Sequence, residues 1–313
     1  MLSKKWYTAV TILVLLSTLL AACATPTPEM VEVEVTRVIE REGETETVVE
    51  QVVVTATPGP EAEPEEEQRP NVLHLNFGPG DVPTLDPALS TDTSSVQVVD
   101  ELTVGLTRLH EESMELQPGM ATDWSVGDDG QTYTFDILEG IPWVRWNGEA
   151  VEEVKDADGN TRYVTAQDFE YGIKRTCNPE TASDYAYVLG FAVAGCNELL
   201  NADLTDMTDE EKQAMIDGVQ ATAIDDYTLE VGFTNPAIYN LNIVGMWIAH
   251  AQPQWLIEEK GDRWIEPGFN QAYGPYVLKE WIHDSSMTIV KNPFWPGTES
   301  VPSPQIDEIT WAM

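Results

Sequence analysis

Trp124-Ser125-Val126-Gly127-Asp128-Asp129-Gly130-Gln131-Thr132-Tyr133-Thr134-Phe135-Asp136-Ile137 is the stretch from which the fold is read first. Asp128-Asp129-Gly130 carries turn chemistry, because an Asp side chain bonds nearby backbone and Gly accepts positive φ. On either side, Trp124 and Val126, then Tyr133, Phe135 and Ile137, alternate with polar residues. That period of two places one face of a strand on a core. The stretch predicts a β-hairpin.

Working outward, Leu73, Leu75 and Phe77 alternate with polar partners and predict a half-buried strand. Thr165-Ala166-Gln167-Asp168 is a helix-start box, with Phe169 and Ile173 four apart on one face. Thr208-Asp209-Glu210-Glu211 repeats that logic ahead of a second, acidic helix. After the turn at Asp225-Asp226, Tyr227, Leu229, Val231 and Phe233 alternate as another strand. Met287 to Lys291 follows, and Ile309, Trp311 and Met313 alternate up to the last residue, so the chain is expected to continue. Strands mixed with helices, without an internal repeat, predict an α/β or α+β protein.

The front of the chain reads as targeting. Lys4 and Lys5 precede an apolar run from Ala9 to Leu20, too short to span a bilayer, so residues 1–22 are read as a lipoprotein signal peptide. Leu20-Ala21-Ala22-Cys23 resembles the lipobox of bacterial lipoproteins, which implies a diacylglycerol on the Cys23 thiol and cleavage before it. Acyl chains there would hold the protein on a membrane. Everything after Cys23 is expected outside the cytoplasm, in the periplasmic space or on the cell surface. Residues 23–70 are read as an acidic Thr/Pro/Glu/Val tether. Thr25-Pro26-Thr27-Pro28 and Thr57-Pro58-Gly59-Pro60 are stiff, and Glu61 to Glu67 is an acidic run. Val31 to Thr55 alternates Val with Glu as a strand could, but its like charge and lack of aromatics favour a solvated spacer.

The formal net charge is −38, and most of the acid excess lies beyond residue 70. Nucleic acid and anionic lipid are poor partners for such a surface. After Cys23 two cysteines remain, Cys177 and Cys196. In an oxidising compartment an even pair reads as a disulfide; a metal site would need further ligands, and no His stands near either in sequence.

Catalytic signatures do not assemble. His74, His110, His250 and His283 are scattered, with no His-Glu-x-x-His spacing, nucleophile elbow or phosphate loop. Gly78-Pro79-Gly80 reads as a turn. Asp156-Ala157-Asp158-Gly159-Asn160 has a calcium-loop flavour, but Gln167 stands where the closing Glu would be, so a hairpin tip is expected. No enzyme activity, cofactor or metal is expected.

Eight blocks, in order, carry a resemblance. They are Leu85-Asp86-Pro87-Ala88, Glu101 to Leu106, Leu116 to Trp124, Asp129 to Phe135, Val164 to Phe169, Asn178 to Ser183, Gly274 to Lys279 and Lys291 to Trp295. Together they look like extracellular solute-binding protein family 5, the oligopeptide- and dipeptide-binding group of ABC importers. The resemblance implies an α/β fold of periplasmic-binding-protein type II, with residues 71–105 and 226–313 in the first lobe. It implies an inserted subdomain over 106–225 and a second lobe missing from this N-terminal fragment. The segment Val144 to Tyr163 is longer than the family pattern and is expected to hold an extended hairpin.

The same resemblance implies ligand-facing positions. Thr91, Asp92 and Thr93 match a segment that pairs with the ligand main chain. Tyr185 matches a tyrosine of the inserted subdomain, and Tyr276 one near the cleft floor; a core role is the alternative for both. The implied partners are a peptide or another small solute, ABC permease subunits, and the membrane through the lipid anchor, with a monomer expected. The alternative is a surface-interaction or sensory lipoprotein that kept the fold without transport, which the acidic tether motivates.

Overall fold

The computed structural model describes residues 30–41, 44–55 and 70–313. Cys23, the signal peptide and the acidic run Glu61 to Glu67 lie outside the described residues. The chain divides into two compact units, residues 1–68 and 69–313.

In the first unit, β1 (Met30–Arg41) and β2 (Glu44–Thr55) form an antiparallel ribbon, paired from Met30 opposite Thr55 to Arg41 opposite Glu44. This differs from the solvated spacer expected there. Valine's stiff, branched side chain favours extended backbone, and the period-two pattern supplies a register. In the structure those outweigh the like charge.

The second unit begins with β3 (Val72–Asn76), helix α1 (Thr93–Leu102) and a short ribbon of β4 (Thr107–Leu109) and β5 (Leu116–Pro118). β6 (Ala121–Val126) and β7 (Thr132–Ile137) are the hairpin read from Trp124 to Ile137, and Trp124 stands opposite Phe135. β8 (Val144–Trp146) and β9 (Val151–Glu153) form the hairpin expected in the longer segment. At the tip beyond it, the Asp156 carboxylate accepts from the backbone of Asp158 and Asn160, each at 2.9 Å.

Four helices follow: α2 (Ala166–Cys177), α3 (Ala186–Ala192), α4 (Cys196–Leu200) and α5 (Asp209–Asp217). Both helix-start boxes form. The Thr165 N–H donates to Asp168 Oδ2 at 3.0 Å, and the Thr208 N–H donates to Glu211 Oε2 at 2.8 Å. Cys177 ends α2 and Cys196 begins α4, and the structure joins them, with Cα atoms 5.3 Å apart. Closing a loop of that length contributes about 3 kcal/mol in chain-entropy terms. The remaining elements are β10 (Ala221–Asp225), β11 (Thr228–Gly232), α6 (Tyr239–Ile243), α7 (Gln254–Lys260), β12 (Tyr276–Ile282), β13 (Ser286–Lys291) and β14 (Glu308–Ala312).

Two four-stranded sheets organise this unit. One is antiparallel, in the order β10-β11-β7-β6, and α2 lays Phe169 and Ile173 into its core with Phe135, Leu229 and Val231. β11 lies between β10 and β7, so the subdomain boundary expected at 225 falls inside the β10–β11 hairpin. The sheet extends at least through Gly232, because Tyr227, Leu229 and Val231 alternate against β7 rather than starting a new layer.

The other sheet runs β12-β13-β14-β3, and only the β14–β3 pair is parallel. Helix α1 packs Val98 and Leu102 with Leu278, Ile289 and Trp311. β3 is a strand as expected, but it is not half-buried: all five residues are exposed, Leu73 and Leu75 by 39 and 37 %. It is the edge of its sheet, and an edge has one neighbour to cover it.

Asp86 ties these layers together. Its carboxylate, 3 % exposed, takes both terminal nitrogens of Arg175 from α2 at 2.8 and 2.7 Å. It also accepts from the Trp264 indole at 3.1 Å and from the Ala88 N–H at 2.9 Å. Burial would lower the pKa of Arg175, but the hydrogen bonds and charge of Asp86 outweigh it and the pKa is raised. Asp86→Ala, which leaves that guanidinium buried and largely unpaired, is expected to lower unfolding free energy by about 3–5 kcal/mol. Asp86→Ala with Arg175→Met should cost less than the two single changes summed, as read from urea unfolding midpoints.

Candidate functional site

A cavity of about 510 Å³ opens where the end of α1 and the strand-like run Thr103–Thr107 meet the segment Gly245–Trp247 and the start of β12. The backbones approach closely here. A Cβ at Gly105 would stand 2.4 Å from the Gly245 carbonyl oxygen and 2.9 Å from His250 Nε2, and one at Gly245 would stand 2.4 Å from the Thr107 oxygen. Only glycine fits at either position without moving the wall.

Aromatic and acidic groups line the cavity. Trp247, half-buried, donates its indole N–H to the Ser90 carbonyl at 2.9 Å, which fixes its ring. Tyr276 is 6 % exposed and donates its hydroxyl to the Ile306 carbonyl at 3.1 Å. Burial, with the charges of Glu101 and Asp307, pushes that hydroxyl up to about 12. Asp100 and Glu101 make no hydrogen bond or ion pair through their carboxylates among the described residues. Asp100 has an exposed surface yet lies in the concave wall. Crowding by protein and the neighbouring Glu101 charge raise it to about 7, against the pull of Arg108. Glu101 is raised as well, by burial, with Arg108 opposing. Arg108 itself is paired with Glu111.

His250 is 2 % exposed and forms part of the same wall. Its Nδ1 lies 2.8 Å from Thr103 Oγ1 and its Nε2 lies 3.4 Å from the Gly245 carbonyl. Burial depresses its pKa to about 4, so the imidazole is neutral at ordinary pH.

Of the residues expected to face a ligand, Tyr276 is among those lining this cavity, although it is otherwise buried in the core. Tyr185 does not line it, but packs edge-on against Trp247, ring centroids 5.7 Å apart. Thr91, Asp92 and Thr93 do not line it either. Asp92 caps α1, accepting from the N–H groups of Ser94 and Ser95 at 3.0 and 2.9 Å and from Ser95 Oγ at 2.5 Å. Thr93 is already helical, which leaves Asp92 as extended backbone two residues beyond the carbonyl of Ser90 that holds Trp247. Trp247, Asp100 and His250 went unread as site residues. The sequence signal for Glu101 is its block, Glu101 to Leu106.

This architecture matches known proteins. Residues 115–313 match the family described as "Bacterial extracellular solute-binding proteins, family 5 Middle". The dipeptide-binding protein DppE of Bacillus subtilis is 32% identical over 231 residues, covering 74% of this chain and 37% of that protein. The periplasmic murein peptide-binding protein MppA of Escherichia coli is 31% identical over 242 residues, covering 75% and 38%. The substrate-binding domain of an oligopeptide ABC transporter from Bacillus anthracis superposes with a TM-score of 0.63 at 24% identity, covering 78% of this chain and 42% of that one. The fold is thus α/β, of the periplasmic-binding-protein type II kind, and the chain corresponds to part of it. The chain belongs to the bacterial extracellular solute-binding proteins, family 5. It spans under two-fifths of the length of the two curated relatives.

His250 gives the wall a pH signature. Its pKa is lowered on folding, so its contribution to stability is complete above about 6.5 and declines as pH falls toward 4. His250→Asn, which keeps a polar atom near Thr103, is expected to flatten the stability profile between those values, as followed by thermal melts across pH.

Proposed function

We propose that this chain supplies one wall of an interlobe cleft in a lipid-anchored, substrate-binding protein of an ABC importer. The solute is a peptide, held in extended form, and the closed complex delivers it to the permease outside the cytoplasm. The observation that carries this reading is the cavity itself: rigid rings at Trp247 and Tyr276 beside two unpaired carboxylates, on a chain of this family. The relatives DppE and MppA are named for the dipeptide and murein peptide they bind, which supports a peptide over other solutes.

The physical role of each part follows. Trp247, half-buried, offers a ring whose orientation is already set by its hydrogen bond to Ser90, and buried Tyr276, held to Ile306, backs the wall, so little ordering is left to binding. Asp92 has extended backbone, and with Thr91 it would pair with a peptide main chain. Asp100 and Glu101 favour a cationic or zwitterionic group. Closure of the lobes around the ligand would be the working step, with no covalent chemistry asked of the wall.

Two measurements test this. With the protein expressed at its native length, a library of di- to hexapeptides should contain members that raise the melting temperature. At a hundredfold excess over Kd the stabilisation is about 2.7 kcal/mol, and Trp247→Ala should reduce it. A library that moves nothing sinks the peptide reading. For the anchor, Cys23→Ser is expected to shift the protein from the membrane to the soluble extracytoplasmic fraction. Retention on membranes after that change means that Cys23 does not hold it there.

A further inference from the structure

Five aromatic rings run in sequence from the cavity onto open surface. Trp247 lines the cavity, and Tyr185 packs against it at 5.7 Å. Tyr187 stacks on Tyr185, centroids 6.0 Å apart and planes 28° from parallel. Phe191 follows one helical turn later on α3, at the i,i+4 spacing that sets two side chains side by side. Tyr239, at the start of α6, stacks on Phe191 at 5.7 Å.

The far end of this row is open. Tyr187 is 63 % exposed, Phe191 60 % and Tyr239 40 %, and Ile238 beside it is 84 % exposed. Single exposed apolar residues need no explanation, but a connected aromatic patch on a soluble surface marks a contact site. On a chain so rich in acids, none of these five rings has a cation stacked on it among the described residues. The patch presents exposed apolar ring surface, and it adjoins the cavity through Tyr185, whose ring packs against Trp247.

We propose that this row is an extension of the binding site that takes the apolar side chains of an oligopeptide reaching beyond the cavity. The inference rests on the peptide reading above and narrows it to long ligands with apolar residues at one end. Continuity is what selects this occupant. A peptide whose backbone runs past Trp247 meets Tyr185 and Tyr187 next, and a row of rings accepts Phe, Leu or Met side chains at several registers without fixed hydrogen bonds.

The test compares three probes by calorimetric titration of the protein at its native length: Ala-Ala-Ala, Ala-Ala-Ala-Phe-Leu-Phe and Ala-Ala-Ala-Ser-Ser-Ser. Burying two or three apolar side chains should tighten the Phe-Leu-Phe extension at least tenfold over the Ser extension. In Phe191→Ser/Ile238→Ser, both surface changes, the ratio of those two affinities should fall toward one. Equal binding of the two extended peptides overturns the inference and leaves the peptide reading standing. A ratio that persists in the double variant also overturns it. Binding of none of the three, at millimolar peptide, overturns both readings. Sedimentation that shows self-association of the parent, lost in the double variant, assigns the patch to a second copy and overturns the inference as well.

Discussion

The rest of this structure hangs on a buried charge pair. Asp86 and Arg175 come from segments 89 residues apart, one leading into α1 and the other on the helix that covers the β10-β11-β7-β6 sheet. A guanidinium removed from water this far is tolerated only with bidentate geometry and its other donors used. The pair is bidentate, Gln252 accepts a further bond from Arg175 at 2.7 Å, and Trp264 donates to the same carboxylate. A hydrophobic contact could have joined the same layers more cheaply, but it would tolerate sliding. A forked pair specifies one position, and the cavity needs that, since α1 contributes its acids while the neighbouring layer contributes Trp247.

Backbone proximity does the remaining positioning. Gly105 and Gly245 allow two chain segments to come within the reach of a single Cβ, which brings Gly105 and His250 against the Gly245 carbonyl. The wall is consequently made of groups already engaged by the protein. Thr107 donates to the Leu241 carbonyl, and Tyr276 donates to Ile306. A neutral, buried His250 adds shape and a hydrogen bond to Thr103 rather than charge. What is left for a ligand is ring surface and the two carboxylates at the mouth.

Much of the fold was legible because its signals are local. The hairpin from Trp124 to Ile137 has alternation and turn chemistry in one short window, and both helix-start boxes have reciprocal partners three residues apart. The cysteine pair was legible from compartment and count. Legibility failed where the deciding partner is distant. The alternation of Leu73 and Leu75 named a strand correctly, yet its burial depends on what lies next to β3 in a sheet, which no window of sequence contains. The subdomain boundary failed for the same reason: Tyr227 to Phe233 looks identical whether it pairs with β7 or opens a new lobe. In Val31 to Thr55, two local signals conflicted, and charge was given more weight than β-branching.

The candidate site follows the same rule at finer scale. Tyr276 was readable because it sits in a compact motif, Gly274-Pro275-Tyr276. Its neighbours in the cavity come from three separate segments, around residues 101, 247 and 302, so only folding assembles them. Asp92 illustrates the converse. An acid beside a predicted ligand segment invites a binding role, but the start of α1 has unsatisfied N–H groups that a side-chain oxygen must meet. The Asp92 carboxylate meets them, with Ser95 Oγ as a third donor. The acids that remain available are Asp100 and Glu101, on the opposite end of the same helix, where no N–H groups are left to claim them. In so acidic a chain, helix polarity sorts the carboxylates that cap a helix start from those that the fold leaves unengaged in a concave place.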